Sequence, residues 1–263
     1  MDSDVLTPRR RHGDVTPRRF RRGVYLIPSL LTLGNMLCGY ACVLYTMRGE
    51  FATAAPFIGI AFILDGLDGR VARMTGSESK FGLEFDSLAD IVSFGLAPAV
   101  MAYRWGLTPF GRWGWAAGFI YLTAAAMRLA RFNIQSGTTD KRFYVGMPSP
   151  AAAGVVAATI FAYPAGLRET SGALPVMALM LVPAFLMVST IRFRSFKGPD
   201  LQSRRSYTVL LVLALIVSAV FANPQAALVV LAYGYLFSAF VELAVHRVRR
   251  RSPEVAATPA EQE

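Results

Sequence analysis

Apolar residues in this chain gather into runs of roughly 17–25 positions, the length at which a helix crosses a hydrocarbon layer about 30 Å thick. Short segments rich in Arg, Lys, Gly and Pro separate the runs. The pattern predicts eight spans, at 24–46, 51–68, 82–103, 114–130, 149–167, 174–191, 207–221 and 225–245, of which 207–221 is the shortest. Each is expected to be helical, because an open strand leaves backbone N–H and C=O groups unpaired in lipid. The expected fold is all-α, a polytopic transmembrane helix bundle of about eight spans. The second and third spans run into polar sequence at 65–90, so their ends are expected to project from the lipid.

Composition agrees with a membrane setting. Hydrophobic residues make up 54% of the chain and charged ones 17%, against about 25% charged in a soluble domain. Mean hydropathy is +0.42. With the N-terminus placed inside, 23 of the 27 Lys and Arg fall on inside segments, and only Arg48, Arg104, Arg112 and Arg168 fall outside. That bias is the positive-inside rule, and it sets both termini and the 65–90 segment at the cytoplasmic face of a cell (inner) membrane. The net charge of +10 follows from the same bias and calls for no nucleic acid. The first residues are polar and basic with no early apolar core, so no secretory leader is expected.

Three domains follow. Residues 1–22 form a basic cytoplasmic arm in which "TPRR" occurs twice, and proline with dense charge argues against packing. The arm either serves topology alone or also holds anionic head groups. Residues 23–246 form the transmembrane domain, and 247–263 a cytoplasmic tail. Cys38 and Cys42 share a helix face in apolar surroundings and read as packing thiols, and Gly114-x-x-x-Gly118 allows close helix approach.

The chemistry lies in "DGLDGRVARMTGSESKFGLEFDSLAD", residues 65–90. At about 100° per residue, Asp65, Asp68, Gly69, Ala72 and Arg73 form one stripe of a helix, and Gly82, Asp86 and Asp90 form another. Gly76 is the expected helix stop in a short connection, so the two helices should run antiparallel and face each other. Four facing carboxylates call for cations. Oxygen ligands without His or Cys favour Mg²⁺, Mn²⁺ or Ca²⁺, and two such ions about 3.5–4 Å apart can clamp a phosphoryl group in an in-line displacement. The glycines leave room for a ligand, and Arg73 offers a phosphate fork. The plainer alternative is helix-end acids paired with Arg70, Arg73 and Lys80 in solvent. It does not explain why acids, small residues and one arginine share the stripes.

The run Asp65-x2-Asp68-Gly69-x2-Ala72-Arg73-x8-Gly82-x3-Asp86-x3-Asp90 resembles, without gap or substitution, the signature of the CDP-alcohol phosphotransferases. The resemblance implies a membrane enzyme of phospholipid biosynthesis that moves a phosphatidyl-type group from a CDP-linked lipid to an alcohol and releases CMP. It implies two divalent cations, Mg²⁺ or Mn²⁺, on Asp65, Asp68, Asp86 and Asp90, with Asp90 also the catalytic base. Gly69 and Arg73 would contact the CDP part, and Ser79 and Gly82 are further candidates for the CDP-lipid pocket. Relatives of this type are often homodimers, which makes a homodimer the expected state.

"PSLLTLGNMLCGY", "DSLADIVSFGLAPA", "RLARFN" and "GMPSPAAAG" resemble the serine-using branch of that family, which implies CDP-diacylglycerol and L-serine as substrates among membrane lipids. One departure is Ser29, where many relatives carry Asn after the proline. Serine brings a carboxylate, and Arg128, Arg131, Lys141 and Arg142 offer cations on the cytoplasmic side. Arg131 with Asn133 could hold that carboxylate, and Arg128 is a third acceptor-binding candidate. Glycerol 3-phosphate or inositol phosphate would also want cations, so charge does not choose the alcohol. A cation transporter is the reading from another class. It would not need Gly69, Ala72 and Arg73 on the acidic stripe.

Overall fold

The computed structural model describes residues 26–135, 143–166, 170–189, 192–194 and 206–249. Over these residues the chain forms eight helical rods: α1 Leu26–Met47, α2 Phe51–Thr75, α3 Lys80–Phe110, α4 Arg112–Gln135, α5 Ser149–Ala162, α6 Thr170–Val188, α7 Ser206–Ala222 and α8 Pro224–Arg249. Length and composition assign a membrane crossing to α1, α2 and α3, and Ser149–Ala162, Leu174–Val188, Leu210–Ala222 and Pro224–Ser238 are shorter apolar stretches. The helical bundle is therefore as expected, and among the described residues three rods are long and apolar enough to cross a membrane. The arm at 1–22, Lys141, Arg142, Arg168 and the end of the tail lie outside the described residues.

Helix ends differ from the expected spans for local reasons. α2 continues past Asp68 to Thr75, where Gly76 closes it at φ 62° and ψ 26°. There Ser77 N–H reaches back to Ala72 O at 3.0 Å and Gly76 N–H to Arg73 O at 3.4 Å. This is the left-handed cap that glycine makes without steric cost, and it confirms Gly76 as the stop. α5 ends at Ala162 rather than 167, because Pro164 forces Tyr163 out of the helical region, to φ −128° and ψ 65°. α6 ends at Val188, and Arg192–Arg194 (β2) pairs antiparallel with Phe143–Val145 (β1), Tyr144 opposite Phe193. An all-helical expectation does not foresee this strand pair, in which two connections satisfy each other's backbone groups. α8 runs through 246 to Arg249, so the expected start of the tail is helical.

α1 packs along α2 and also against the first half of α3, whereas direct packing of α2 on α3 is slight. The expected antiparallel pair is thus a three-helix arrangement with α1 as the shared neighbour. Ala54, Ala55 and Ala61 of α2 and Ala152, Ala153 and Ala157 of α5 are buried, and such small residues let helix backbones approach in an apolar setting. Gly114 meets the end of α3 so closely that a Cβ there would run into the Leu107 carbonyl, while one at Gly118 would sit 3.7 Å from Ala99 O, an ordinary contact. Cys38 and Cys42 are free, buried thiols, with Cys42 Sγ 3.9 Å from Met101 Sδ, consistent with packing.

The rod α3 is not regular. Its α-helical start, Lys80–Asp90, passes into a π-helical turn at Ile91–Leu96, then Ala97–Ala102, a second π turn at Tyr103–Leu107 and a final 3₁₀ turn at Thr108–Phe110. Inside the first π turn the buried Tyr121 hydroxyl donates to Phe94 O at 3.2 Å. All three tryptophans, Trp105, Trp113 and Trp115, sit at the far end of α3 and the start of α4, the opposite end from the acids. Trp105 Nε1 donates to Tyr163 O at 2.7 Å, and Trp113 and Trp115 are exposed. Tryptophan prefers the membrane–water interface, so the bundle has an aromatic end and an acidic end.

Candidate active site

At the acidic end, the spacing of Asp65 and Asp68 puts both on one face of α2, and Asp86 and Asp90 lie one helical turn apart on α3. One carboxylate oxygen from each of Asp65, Asp68 and Asp86 falls within 4.8 Å of the others. Asp68 is buried, and Asp65 and Asp86 are half-buried. Asp86 Oδ1 is buried without a hydrogen-bond partner. A buried carboxylate oxygen left unpaired is costly, and a hard cation bound by the three acids would satisfy it. The donor set therefore fits a divalent metal.

Asp90 stands beside Asp65 but outside that tight group. It is buried, and its Oδ1 accepts from Asn35 Nδ2 at 3.2 Å. Asn35 in turn accepts at its main-chain oxygen from Ser93 Oγ at 2.8 Å. Thr32, one turn earlier on α1, donates to Asp68 Oδ2 at 2.9 Å, with Pro28 O at 3.1 Å as an alternative acceptor for the same proton. Sequence reasoning did not single out Thr32 or Asn35. The available signal was their spacing with Gly39, which puts three non-apolar positions on one face of an apolar span.

The remaining predicted residues divide. Gly69 is half-buried, and a Cβ added there would meet nothing nearer than Arg73 Nη2 at 4.0 Å, so Gly69 and the exposed Arg73 leave an open surface beside the acids. Ser79 is the N-cap of α3 and accepts from Gly82 N–H at 2.9 Å. A Cβ on Gly82 would lie 3.1 Å from that hydroxyl. Ser79 and Gly82 thus start the helix that carries Asp86 and Asp90.

Arg128, Arg131 and Asn133 lie on the last turns of α4, at the same end of the bundle. Arg128 Nη1 donates to the fully buried Ser149 Oγ at 2.8 Å, its guanidinium lies 5.7 Å from the Phe132 ring centre, and its charge reaches Asp65 and Asp90. Arg131 Nη1 donates to Val188 O at 3.3 Å. The two arginines line a small cavity with Met127, Met187 and Val188. Asn133 Nδ2 donates to Ser87 Oγ at 2.9 Å, which ties α4 to α3 beside Asp86. Ser149 is held in place by the turn before it. Gly146 has φ 86°, a Cβ there would collide with Met187 O, and Met147 N–H donates to Leu186 O at 3.0 Å.

Residues 25–191 match the pattern of the family described as CDP-alcohol phosphatidyltransferase. The chain belongs to that family. It is 38% identical to a Helicobacter pylori protein named CDP-diacylglycerol--serine O-phosphatidyltransferase over 81% of this chain and 89% of that one. A Bacillus subtilis protein of the same name is 33% identical over 65% of this chain and 91% of its own length. A Methanothermobacter thermautotrophicus protein named archaetidylserine synthase is 32% identical over 65% of this chain and 71% of its own. The family match covers α1 to α6 and so includes every candidate residue described above.

Proposed function

We propose that the chain transfers the phosphatidyl group of CDP-diacylglycerol to the hydroxyl of L-serine, giving phosphatidylserine and CMP. The observation that carries this reading is the naming of the relatives: serine is common to all three names while the lipid part changes. The site is compatible with it, because acids, an open helix surface and two arginines meet at one end of the bundle.

In this reading Asp65, Asp68 and Asp86, with Asp90 at their edge, hold two divalent cations, Mg²⁺ or Mn²⁺. Bound there, the cations neutralise the pyrophosphate and stabilise the departing CMP. The CDP part lies on the bare surface at Gly69, and Arg73 forks its phosphate. Arg128 and Arg131 neutralise the serine carboxylate, and Asn133 keeps α4 on α3 beside them. The serine oxygen attacks the β-phosphorus as Asp90 takes its proton. The new O–P bond forms while the bridging P–O bond breaks, and CMP leaves with the bond's electron pair. Asp90 Oδ1 accepts from Asn35, which holds the carboxylate in one orientation.

We further propose that the acids lie at the cytoplasmic face of the cell membrane, where serine enters, with eight crossings and both termini inside; the charge bias and the aromatic end support this. The test is an acceptor panel: purified protein with CDP-diacylglycerol labelled in its phosphatidyl group, given serine, glycerol 3-phosphate, inositol or inositol phosphate. Serine alone should release CMP and move the label into phosphatidylserine. Release with another alcohol and not with serine would overturn the acceptor, and no release with any alcohol would overturn the transferase itself.

A further inference from the structure

We infer that Asn35 of α1 is a positioning residue for Asp90, fixing which carboxylate oxygen faces the acceptor hydroxyl. The inference rests on the proposed role of Asp90 as the base.

The Asn35 side chain is fully buried in an apolar helix, where an amide is retained only if it is paired. One of its two polar atoms is not paired: Oδ1 is buried without a partner. What keeps the amide there is the other atom, Nδ2, on Asp90 Oδ1 at 3.2 Å. The reverse orientation would set an amide oxygen against a carboxylate oxygen, two acceptors, so the hydrogen-bond pattern selects this one. An amide nitrogen donates and never accepts. Asp90 Oδ1 therefore keeps one lone pair engaged and the carboxylate is held in one orientation, with Oδ2 the oxygen that Asn35 leaves free. A hydroxyl in this position could reverse its direction and would not separate the two oxygens.

The surroundings make the contact rigid. Ser93 Oγ donates to Asn35 O at 2.8 Å, so the residue that grips Asp90 is itself gripped from α3, three positions after Asp90. Ser93 lies in the π turn Ile91–Leu96, which begins at the residue after Asp90. Gly39, one turn along α1 from Asn35, lets this segment come close: a Cβ there would stand 2.7 Å from Ser93 Cα. π turns of this kind are frequent at functional sites, where they turn a side chain out of the regular helical path. Asn35, Gly39 and Ser93 together hold the two helices on either side of the Asp90 carboxylate.

A double-mutant cycle tests the inference, with Asn35→Ala, Asp90→Asn and the pair, each measured for kcat with serine, KM for CDP-diacylglycerol and affinity for CMP. A misplaced catalytic group costs on the order of 10²-fold in rate, so Asn35→Ala should lower kcat by about 10–10². KM and CMP affinity should stay within a few-fold of wild type. In the Asp90→Asn background Asn35→Ala should cost nothing further, because the group it positions is already disabled. Equal losses in both backgrounds would overturn the inference, because Asn35 would then act independently of Asp90. If Asn35→Ala fails to bind CMP, the cycle is repeated with Asn35→Ser, and loss of CMP binding there too would make the role structural and overturn the inference. The two readings fail separately. Asp90→Asn turning over within a few-fold of wild type removes the base assignment, whereas a crippled Asp90→Asn beside a normal Asn35→Ala removes only the positioning role.

Discussion

Thr32 Oγ1 lies 2.9 Å from Asp68 Oδ2, joining α1 to an acid 36 residues away in the sequence. A carboxylate that binds metal with one oxygen needs the other one held, and here a neighbouring helix holds it. Thr32→Val keeps the shape and removes the hydroxyl. Loss of such an outer contact typically costs about 10–100-fold in metal affinity. The variant should need that much more Mg²⁺ or Mn²⁺ for half-maximal rate and recover near wild-type turnover at saturation, while Thr32→Ser should resemble wild type. A metal titration of the three proteins checks this.

Asp65→Asn and Asp86→Asn each remove a charge from the group of three acids that lie within 4.8 Å. Both should lose activity through lost metal affinity, and excess cation should restore part of it. The measurement is divalent-ion binding by calorimetry alongside rate. Wild-type rates with the cation fully chelated would rule out metal-assisted transfer.

Gly39→Ala places a methyl group 2.7 Å from Ser93 Cα, against backbone that cannot swing aside. Overpacking of this kind typically costs about 1–3 kcal/mol. The variant should unfold at lower temperature in detergent and should lose turnover, because Asn35 and Asp90 move with the two helices. Gly66→Ala, where a Cβ meets nothing within 4 Å, is the matched control and should keep its stability.

Arg73 is exposed at the edge of the open surface beside Gly69. Arg73→Lys keeps the charge and loses the planar fork, so the affinity for CMP should fall while metal affinity holds. A nucleotide titration at saturating cation reads this. Unchanged CMP affinity would move Arg73 out of the nucleotide site.

The residues legible in the sequence were those whose spacing encodes geometry. Asp65, Asp68, Asp86 and Asp90 repeat at helical intervals among glycines, and a carboxylate in an apolar chain stands out by its cost. Gly76 announced its turn because glycine is the usual residue at the left-handed cap that ends a helix. Thr32 and Asn35 were harder, since the face they share with Gly39 carries no charge and stands out little in an apolar span. Their meaning comes from α3, which the sequence places close to α2 and which in fact leans on α1. Ser79 stands just before a helix, which is a capping signal, and it caps that helix here. The pairing of 143–145 with 192–194 joins two three-residue segments far apart in the chain, too short for any alternation to show.

The most direct test compares Asp90→Asn with wild type in two assays on the same protein, turnover with serine and affinity for CMP at saturating Mg²⁺ or Mn²⁺. The substitution keeps size and shape and removes the ability to take a proton. If Asp65, Asp68 and Asp86 carry most of the metal binding and Asp90 is the base, turnover should fall by about 10²–10⁴ with CMP affinity nearly unchanged. Turnover within a few-fold of wild type, or a joint collapse of nucleotide and metal binding, would contradict that division of labour.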